Sequence, residues 1–137
     1  MQQTITIGST PVVSASANSM TIRGEGSAQT SIQQGLAKVW CKWNASVTVD
    51  DSFNQSSMVD TGTGDYSVVF SNNIASASKL AAGGLAGNHG VSNGFLTWTG
   101  GGNNNTHTDR LAVQVQNNGG TNVDVDKNTV VIHGDLA

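Results

Sequence analysis

An all-β fold, either an antiparallel β-sandwich or a jelly-roll-like domain, is what this sequence of 137 residues predicts. Val, Ile and Thr together number 35, whereas the good helix formers Leu, Met, Glu and Lys number 14. β-branched side chains favour extended strands over helices. Short alternating segments also recur between Gly- and Asn-rich turns, which is typical of antiparallel sheets. We expect a sandwich domain over residues 35–137, preceded by an extended N-terminal arm over residues 1–34.

The expected arm is polar and Ser-rich, with a few apolar residues among the polar ones. Two short alternating pieces, 4–7 and 20–23, predict edge strands that need another surface to pair with. The apolar residues of the arm are therefore candidate assembly contacts. They are Ile5, Ile7, Val12, Val13, Met20 and Ile22.

The strands of the expected sandwich are separated by turn residues. We predict them at 37–43, 45–49, 56–59, 65–70, 94–98, 111–116, 121–125 and 128–133. Gly/Asn turns at 60–65 and 117–120 are predicted to close two hairpins, because these residues accept positive φ. Residues 72–93 are rich in Ala, Ser and Gly and predict a loop with at most one helical turn.

Composition and charge exclude several classes of protein. Six basic residues and a formal charge of −3 argue against binding to nucleic acid, which needs clustered Lys and Arg. No segment approaches the length of an apolar membrane span, so membrane insertion is not expected. Gly, Asn, Ser and Thr supply 60 residues. A core this thin predicts that the chain shares apolar burial with copies of itself, and we expect a homotrimer.

One segment has the opening of a calcium-binding loop. Asp124, Asp126 and Asn128 give the D-x-D-x-N spacing, in which alternating oxygens converge on a hard cation. Thr129 and Asp135 stand where an EF-hand loop requires Gly and Glu. On a strand the same carboxylates would line a solvated face. No metal or other cofactor is predicted, and whether the three residues bind a cation is left open.

Catalytic chemistry is not predicted either. His89, His107 and His133 are too scattered in the sequence to give a metal-ligand spacing. His107 and Asp109 could be drawn into a triad, but the sequence has no nucleophile elbow or oxyanion loop. We therefore expect a protein that is not an enzyme.

The aromatic residues have two interpretations. Trp40 and Trp43 are three positions apart, so in a regular strand they lie on opposite faces. One is expected inside the core, and the other against a loop, a subunit or a ligand. Cys41 between them is expected to pack as a small buried hydrophobic residue. Trp98, beside the Gly/Asn-rich loop 100–109, is the candidate ligand or interface aromatic.

Four stretches carry a resemblance to a known group of proteins. In order they are GLAKVW (35–40), DSFNQSS (51–57), TGTGDYSVVF (61–70) and VVIHGDLA (130–137). They resemble C-terminal domains of tailed-bacteriophage fibres and related virion structural proteins. The match covers about residues 35–137, and its most specific parts are the Gly-Thr-Gly-Asp-Tyr stretch and the C-terminal ending.

The resemblance implies a compact β domain on the virion surface, commonly trimeric, and it does not imply catalysis. With the low-charge arm, it leads us to expect a small capsid decoration or cement protein located in the virion. Its partners would be other copies of the chain and phage capsid or tail proteins. The alternative is a tail-fibre or tailspike tip domain that binds a host-surface glycan.

Overall fold

A computed structural model describes residues 3–7, 10–16, 19–23, 29–31, 35–87, 93–98 and 107–137. The chain divides into two compact units, Met1–Leu36 and Ala37–Ala137. Within the described residues, no helix is long and apolar enough to cross a membrane. A single 3-10 turn is described over Ala77–Lys79. The fold is therefore all-β, as the composition predicts.

The first unit is a four-stranded antiparallel sheet. Its strands, in both chain and spatial order, are β1 (Gln3–Ile7), β2 (Thr10–Ser16), β3 (Ser19–Arg23) and β4 (Gln29–Ser31). Ile5 lies opposite Val13, and Val13 lies opposite Ile22. The three residues therefore occupy one register position across three neighbouring strands.

This sheet differs from the extended arm expected over residues 1–34. The pieces near Ile5 and Ile22 do form strands, but they pair with β2 between them and need no other surface for that pairing. Only two residues separate β1 from β2 and β2 from β3. Connections this short favour local hairpins over an extended chain. The boundary between the units falls after Leu36, two residues beyond the expected one.

The second unit is an antiparallel β-sandwich, as expected. Sheet I has the strand order β6-β5-β12-β9, and sheet II has the order β10-β11-β8-β7. The strands are β5 (Ala37–Trp43), β6 (Val49–Phe53), β7 (Gln55–Gly62), β8 (Asp65–Phe70), β9 (Ala81–Gly87), β10 (Asn93–Trp98), β11 (Arg110–Gln116) and β12 (Lys127–His133). The two sheets are joined where β10 pairs with β9 over two residues, before it pairs with β11 over four.

The core lies between sheets I and II. Alternate residues of β5 and β12 face alternate residues of β8 and β11, and these inner residues are buried. The rings of Trp43 and Tyr66 meet edge to face across the two sheets, with centroids 5.8 Å apart. Such offset aromatic pairs are favoured over face-to-face stacks. The inner face of each sheet is thus apolar, and the outer faces are left to contact other molecules.

Strand β9 corrects the prediction of a loop over residues 72–93. The segment Ala81–Gly87 pairs along its whole length with β12. Gly84 accounts for this: a side chain there would meet Thr129 O at 2.3 Å and Leu96 Cδ2 at 2.4 Å. Leu96 of β10 therefore packs directly against the backbone of β9. The segment is a strand because its small residues admit this close approach, not because of intrinsic propensity.

Two predicted strands are wrong. Residues 45–49 form most of a turn, because Asn44 Oδ1 accepts hydrogen bonds from the backbone N–H of Ser46 and Thr48, both at 3.0 Å. The strand β6 begins only at Val49. Residues 121–125 form no strand, although Asn122 makes an isolated bridge with Gln116 and closes the predicted turn. The Gly/Asn turn before β8 does close the predicted hairpin with β7.

Candidate binding face

The outer face of sheet I carries a row of apolar residues that crosses all four strands. Phe53 lies opposite Trp40, Trp40 opposite Val131, and Val131 opposite Gly83. Phe53 is 53% exposed, Val131 is 39% exposed, and Trp40 is half-buried. A side chain added at Gly83 would meet nothing within 4 Å. We call these four residues the aromatic row.

A second row runs beside it and is mostly polar. Asp51 lies opposite Lys42, Lys42 opposite Thr129, and Thr129 opposite Leu85. Lys42 Nζ is 2.9 Å from Asp50 Oδ2, and both side chains are about half exposed. Leu85, at the far end, is 78% exposed. We call Asp51, Lys42, Thr129 and Leu85 the polar row.

The hairpin between β5 and β6 sets the position of Phe53. The turn capped by Asn44 returns the chain with Val47 in the left-handed region at φ 52°. A register shift then follows between Lys42 and Trp43. These features place Phe53 directly beside Trp40. Sequence reasoning missed the pairing because it assigned 45–49 as a strand, which hid the true start of β6.

The prediction that the two neighbouring tryptophans lie on opposite faces of the strand is confirmed, and what covers the outer one stays a prediction. Trp43 is fully buried in the core, and Trp40 stands on the outer face. Cys41 is buried as expected, and its thiol contacts Met58 Sδ at 3.9 Å. Burial raises the pKa of the Cys41 thiol to about 11. A thiol that holds its proton in this way is a packing group and a poor nucleophile.

The structure describes little of the other candidate contacts. Trp98 ends β10 and pairs with Val113, but its side chain lies outside the described residues. Ile5 in the edge strand β1 is 65% exposed. The side chains of Ile7, Val12, Val13, Met20 and Ile22, in strands β1 to β3, also lie outside the described residues.

The three residues with calcium-loop spacing serve different parts of the fold. Asp124 Oδ1 accepts hydrogen bonds from Tyr66 Oη at 2.8 Å and from the Gly64 N–H at 2.7 Å. Asn128 is fully buried and donates to Val125 O at 2.9 Å. Asp126 is exposed. The expected strand is wrong, because residues 121–125 form none, but Asp124 and Asp126 are both exposed to solvent as expected.

Tyr66 is held in its neutral form. Its burial, and then the hydrogen bond and negative charge of Asp124, raise the pKa of the Tyr66 hydroxyl above its ordinary value. A buried phenol that donates to a carboxylate acts as a structural link between β8 and the segment after β11. It offers no acid or base near neutral pH.

Of the groups considered for catalysis, Asp109 pairs with the neighbouring Arg110. Asp109 Oδ2 lies 3.3 Å from Arg110 Nη1, and both side chains are nearly half exposed. In the part of the chain that the structure describes, no three His, Cys, Asp or Glu residues are grouped to hold a metal ion. His89 lies outside that part.

A small apolar cavity of about 60 Å³ lies between the sheets where β9 meets β10. Its lining includes Gly84, Leu96 and Val130. Ligand pockets for small organic molecules are several times larger and carry convergent polar groups. The cavity is therefore too small for such a ligand.

Comparisons with family models, with curated proteins and with solved structures found no match to this chain. What the geometry offers is an exposed face, part aromatic and part polar, on a regular four-stranded sheet. Such a face suits binding to another molecule.

Proposed function

We propose that the protein is a non-enzymatic structural subunit of a tailed-bacteriophage virion, a small homotrimeric protein that decorates and stabilises the capsid. The sandwich would be the displayed domain, and the β1–β4 sheet would be the assembly module. The partners would be other copies of this chain and the capsid proteins beneath them.

The observation that carries the assembly role is the exposure of Ile5. This residue is 65% exposed in an edge strand, in register with Val13 of β2, which is itself in register with Ile22 of β3. A sheet within 36 residues is too small to bury an apolar face by itself. Arg23 and Glu25 are the charged residues of this unit, so little charge opposes its association with identical copies.

The residues behind the resemblance to virion proteins support a structural role. In the Gly-Thr-Gly-Asp-Tyr stretch, Gly64 and Tyr66 both bond Asp124, and Asp65 accepts from Gln114 Nε2 at 2.7 Å. In the DSFNQSS stretch, Asn54 Nδ2 donates to the carbonyls of Lys38 and Asn72, both at 3.1 Å. These motifs build turns and crossings between strands. This use of the motifs is consistent with the structural role that we propose.

The oligomeric state is the first test. Light scattering on the purified full chain should give the mass of a trimer, and Ile5→Asp should shift it toward the monomer because a buried charge opposes association. Val59→Asp is the matched control, since Val59 is 42% exposed on the outer face of sheet II. A folded wild-type monomer at micromolar concentration would refute the trimer.

Imaging the virion tests the location. Density for this protein on the capsid lattice supports decoration, and density confined to the tail rejects it. The second candidate, a receptor-binding tip of a tail fibre, is favoured by one observation, the exposed Phe53 beside Trp40. In that case the isolated protein should block phage adsorption to host cells, and a Phe53→Ala variant should not.

A further inference from the structure

The outer face of sheet I has the features of a carbohydrate-binding surface. We propose that the aromatic row binds a short neutral oligosaccharide, with pyranose rings stacked on Phe53 and Trp40 and hydroxyl groups bonded by the polar row. The inference names a ligand class for the face on which the second candidate function rests, and it would hold equally for a capsid protein.

The first argument is the pairing of two chemistries in adjacent rows. A pyranose ring has an apolar face of C–H groups and an edge of hydroxyls. The negative π-face of an aromatic ring attracts C–H groups. Phe53 and Trp40 supply two aromatic side chains on neighbouring strands, about 4.8 Å apart. Asp51 and Lys42, one row away on the same strands, supply a hydrogen-bond acceptor and donor.

The second argument is the shape of the face. Side-chain size decreases along the row, from Phe53 and Trp40 through Val131 to Gly83, where only backbone is present. It crosses three strand spacings, or about 14 Å in all. This is the length of a short oligosaccharide lying flat. A peptide that adds a strand would instead need an open sheet edge, and the row crosses the sheet at right angles to its edges.

The area of the two rows is too small for a stable contact between two copies of the chain. The two rows cover about 300 Å², from the strand spacing and the distance between alternate residues. A face-to-face pair would bury about 600 Å² in total, roughly half of what stable protein interfaces need. A ligand of a few sugar rings requires no more than this face provides.

Charge selects a neutral ligand. Lys42 of β5 and Lys127 of β12 lie on the outer side of sheet I, and Asp50 and Asp51 lie on β6 next to β5. The four charges sum to zero, and Lys42 is already paired with Asp50. The face therefore has no net field that would favour an anionic or a cationic sugar.

The test is binding of defined sugars to the full-length protein. Cellotetraose, maltotetraose and chitotetraose would be titrated separately by calorimetry, and ring contact would be followed by saturation-transfer NMR. We expect at least one of them to bind at one site per chain. Failure of all three to bind overturns the proposal.

Variants of Phe53 distinguish stacking of a sugar on the aromatic ring from nonspecific apolar contact with the side chain. Phe53 is half exposed in an edge strand, so its replacement leaves the core intact. Phe53→Ala and Phe53→Leu should each weaken binding about tenfold, because both remove the ring. Phe53→Tyr keeps the ring and should bind as wild type does. Equal binding by the Leu and Tyr variants would overturn ring stacking.

Two controls keep the result interpretable. Val59→Ala removes an exposed apolar side chain from the other sheet and should leave sugar binding unchanged. Trp40→Ala should abolish binding, and thermal unfolding of that variant shows whether it still folds. If Phe53→Ala instead dissociates the oligomer and no sugar binds, the face is a subunit contact and the proposal fails. A monomer that binds sugar refutes only the proposed trimer.

Discussion

Gly64 combines two demands that no other residue type meets. Its φ is +68°, in the left-handed region, where a Cβ is disfavoured. An added Cβ would also lie 2.6 Å from Val115 O and 2.8 Å from Val123 N. The Gly64 carbonyl accepts from Val115 N at 2.7 Å, and its N–H donates to Asp124. This glycine therefore joins the β7–β8 turn to both β11 and the segment that follows it.

Gly64→Ala should lower the free energy of unfolding by at least about 3 kcal/mol, since backbone overlap adds to the left-handed φ. Gly120 is the matched control, because its φ is +76° but an added Cβ would meet nothing within 4 Å. Gly120→Ala should cost only about 1 kcal/mol. Urea unfolding at equilibrium measures both. Equal losses would mean that the contact with β11 contributes nothing.

Burial of the Cys41 thiol makes the free energy of unfolding depend on pH in the alkaline range. The pKa of its buried thiol is raised from 9.0 to about 11, so the unfolded chain loses this proton at lower pH than the folded chain. The contribution is complete below pH 9 and is lost as the pH rises toward 11. Its size is about 2 kcal/mol. Tyr66, whose pKa is also raised, adds a loss of the same sign at still higher pH.

Cys41→Ala should show a smaller drop in urea midpoint between neutrality and pH 11 than the wild type does. The comparison must be of slopes with pH, because the variant also leaves a small cavity that lowers stability at every pH. Tyr66→Phe should retain the Cys41 contribution and so serves as the control. If the stability of the Cys41→Ala variant falls with pH as steeply as that of the wild type, the loss does not come from the Cys41 thiol.

Among the elements, β9 depends on packing more than any other strand of the sandwich. Its sequence, AAGGLAG, contains no β-branched or aromatic residue. It is nevertheless paired with β12 along its full length, and Leu96 covers Gly84 from the other sheet. The adjacent Gly83 stands on the outer face, where a side chain would meet open space.

Gly84→Ala should therefore destabilise the protein by at least about 2 kcal/mol, because Thr129 O is a backbone atom that cannot move aside. Gly83→Ala should be neutral or should stabilise by about 0.5 kcal/mol, because it reduces the entropy of the unfolded chain. Chemical denaturation of the two variants side by side is the measurement. If Gly83→Ala loses as much stability as Gly84→Ala, the need for glycine comes from the backbone conformation of β9 and not from the contact at Gly84.

The elements also show what a sequence can predict. The strands β5 and β8 match their predicted bounds, and β11 and β12 begin one residue early, because their periodic apolar residues set one buried face. The strand β9 was not predicted from the sequence, because it is stabilised by packing against Leu96, which belongs to another strand. The aromatic row was not predicted for a related reason. Phe53 pairs with Trp40 only because of the Asn44 turn and the register shift that follows it. The resemblance to virion proteins and the trimer stay predictions.

At the scale of the whole molecule, the chain separates into a small sheet and a sandwich with its own core. Removing residues 1–36 should leave a folded all-β protein, since the sandwich begins at β5, and far-UV circular dichroism checks this. Light scattering should then give a monomer. A trimer that survives the deletion would place the subunit contacts in the sandwich and remove the proposed role of Ile5.

The pairing of β5 with β12 determines how the sandwich responds to mechanical load. Ala37, which begins β5, lies opposite His133, which ends β12, so both chain ends of the sandwich leave from the same end of sheet I. Tension between Leu36 and Gly134 would break the hydrogen bonds of this pair one at a time, as a zipper opens, and would need little force. Tension from a ligand on the outer face would instead spread over four strands at once. If the proposed roles of the first 36 residues and of the aromatic row hold, the protein would withstand pulling at that row better than pulling at its C-terminus.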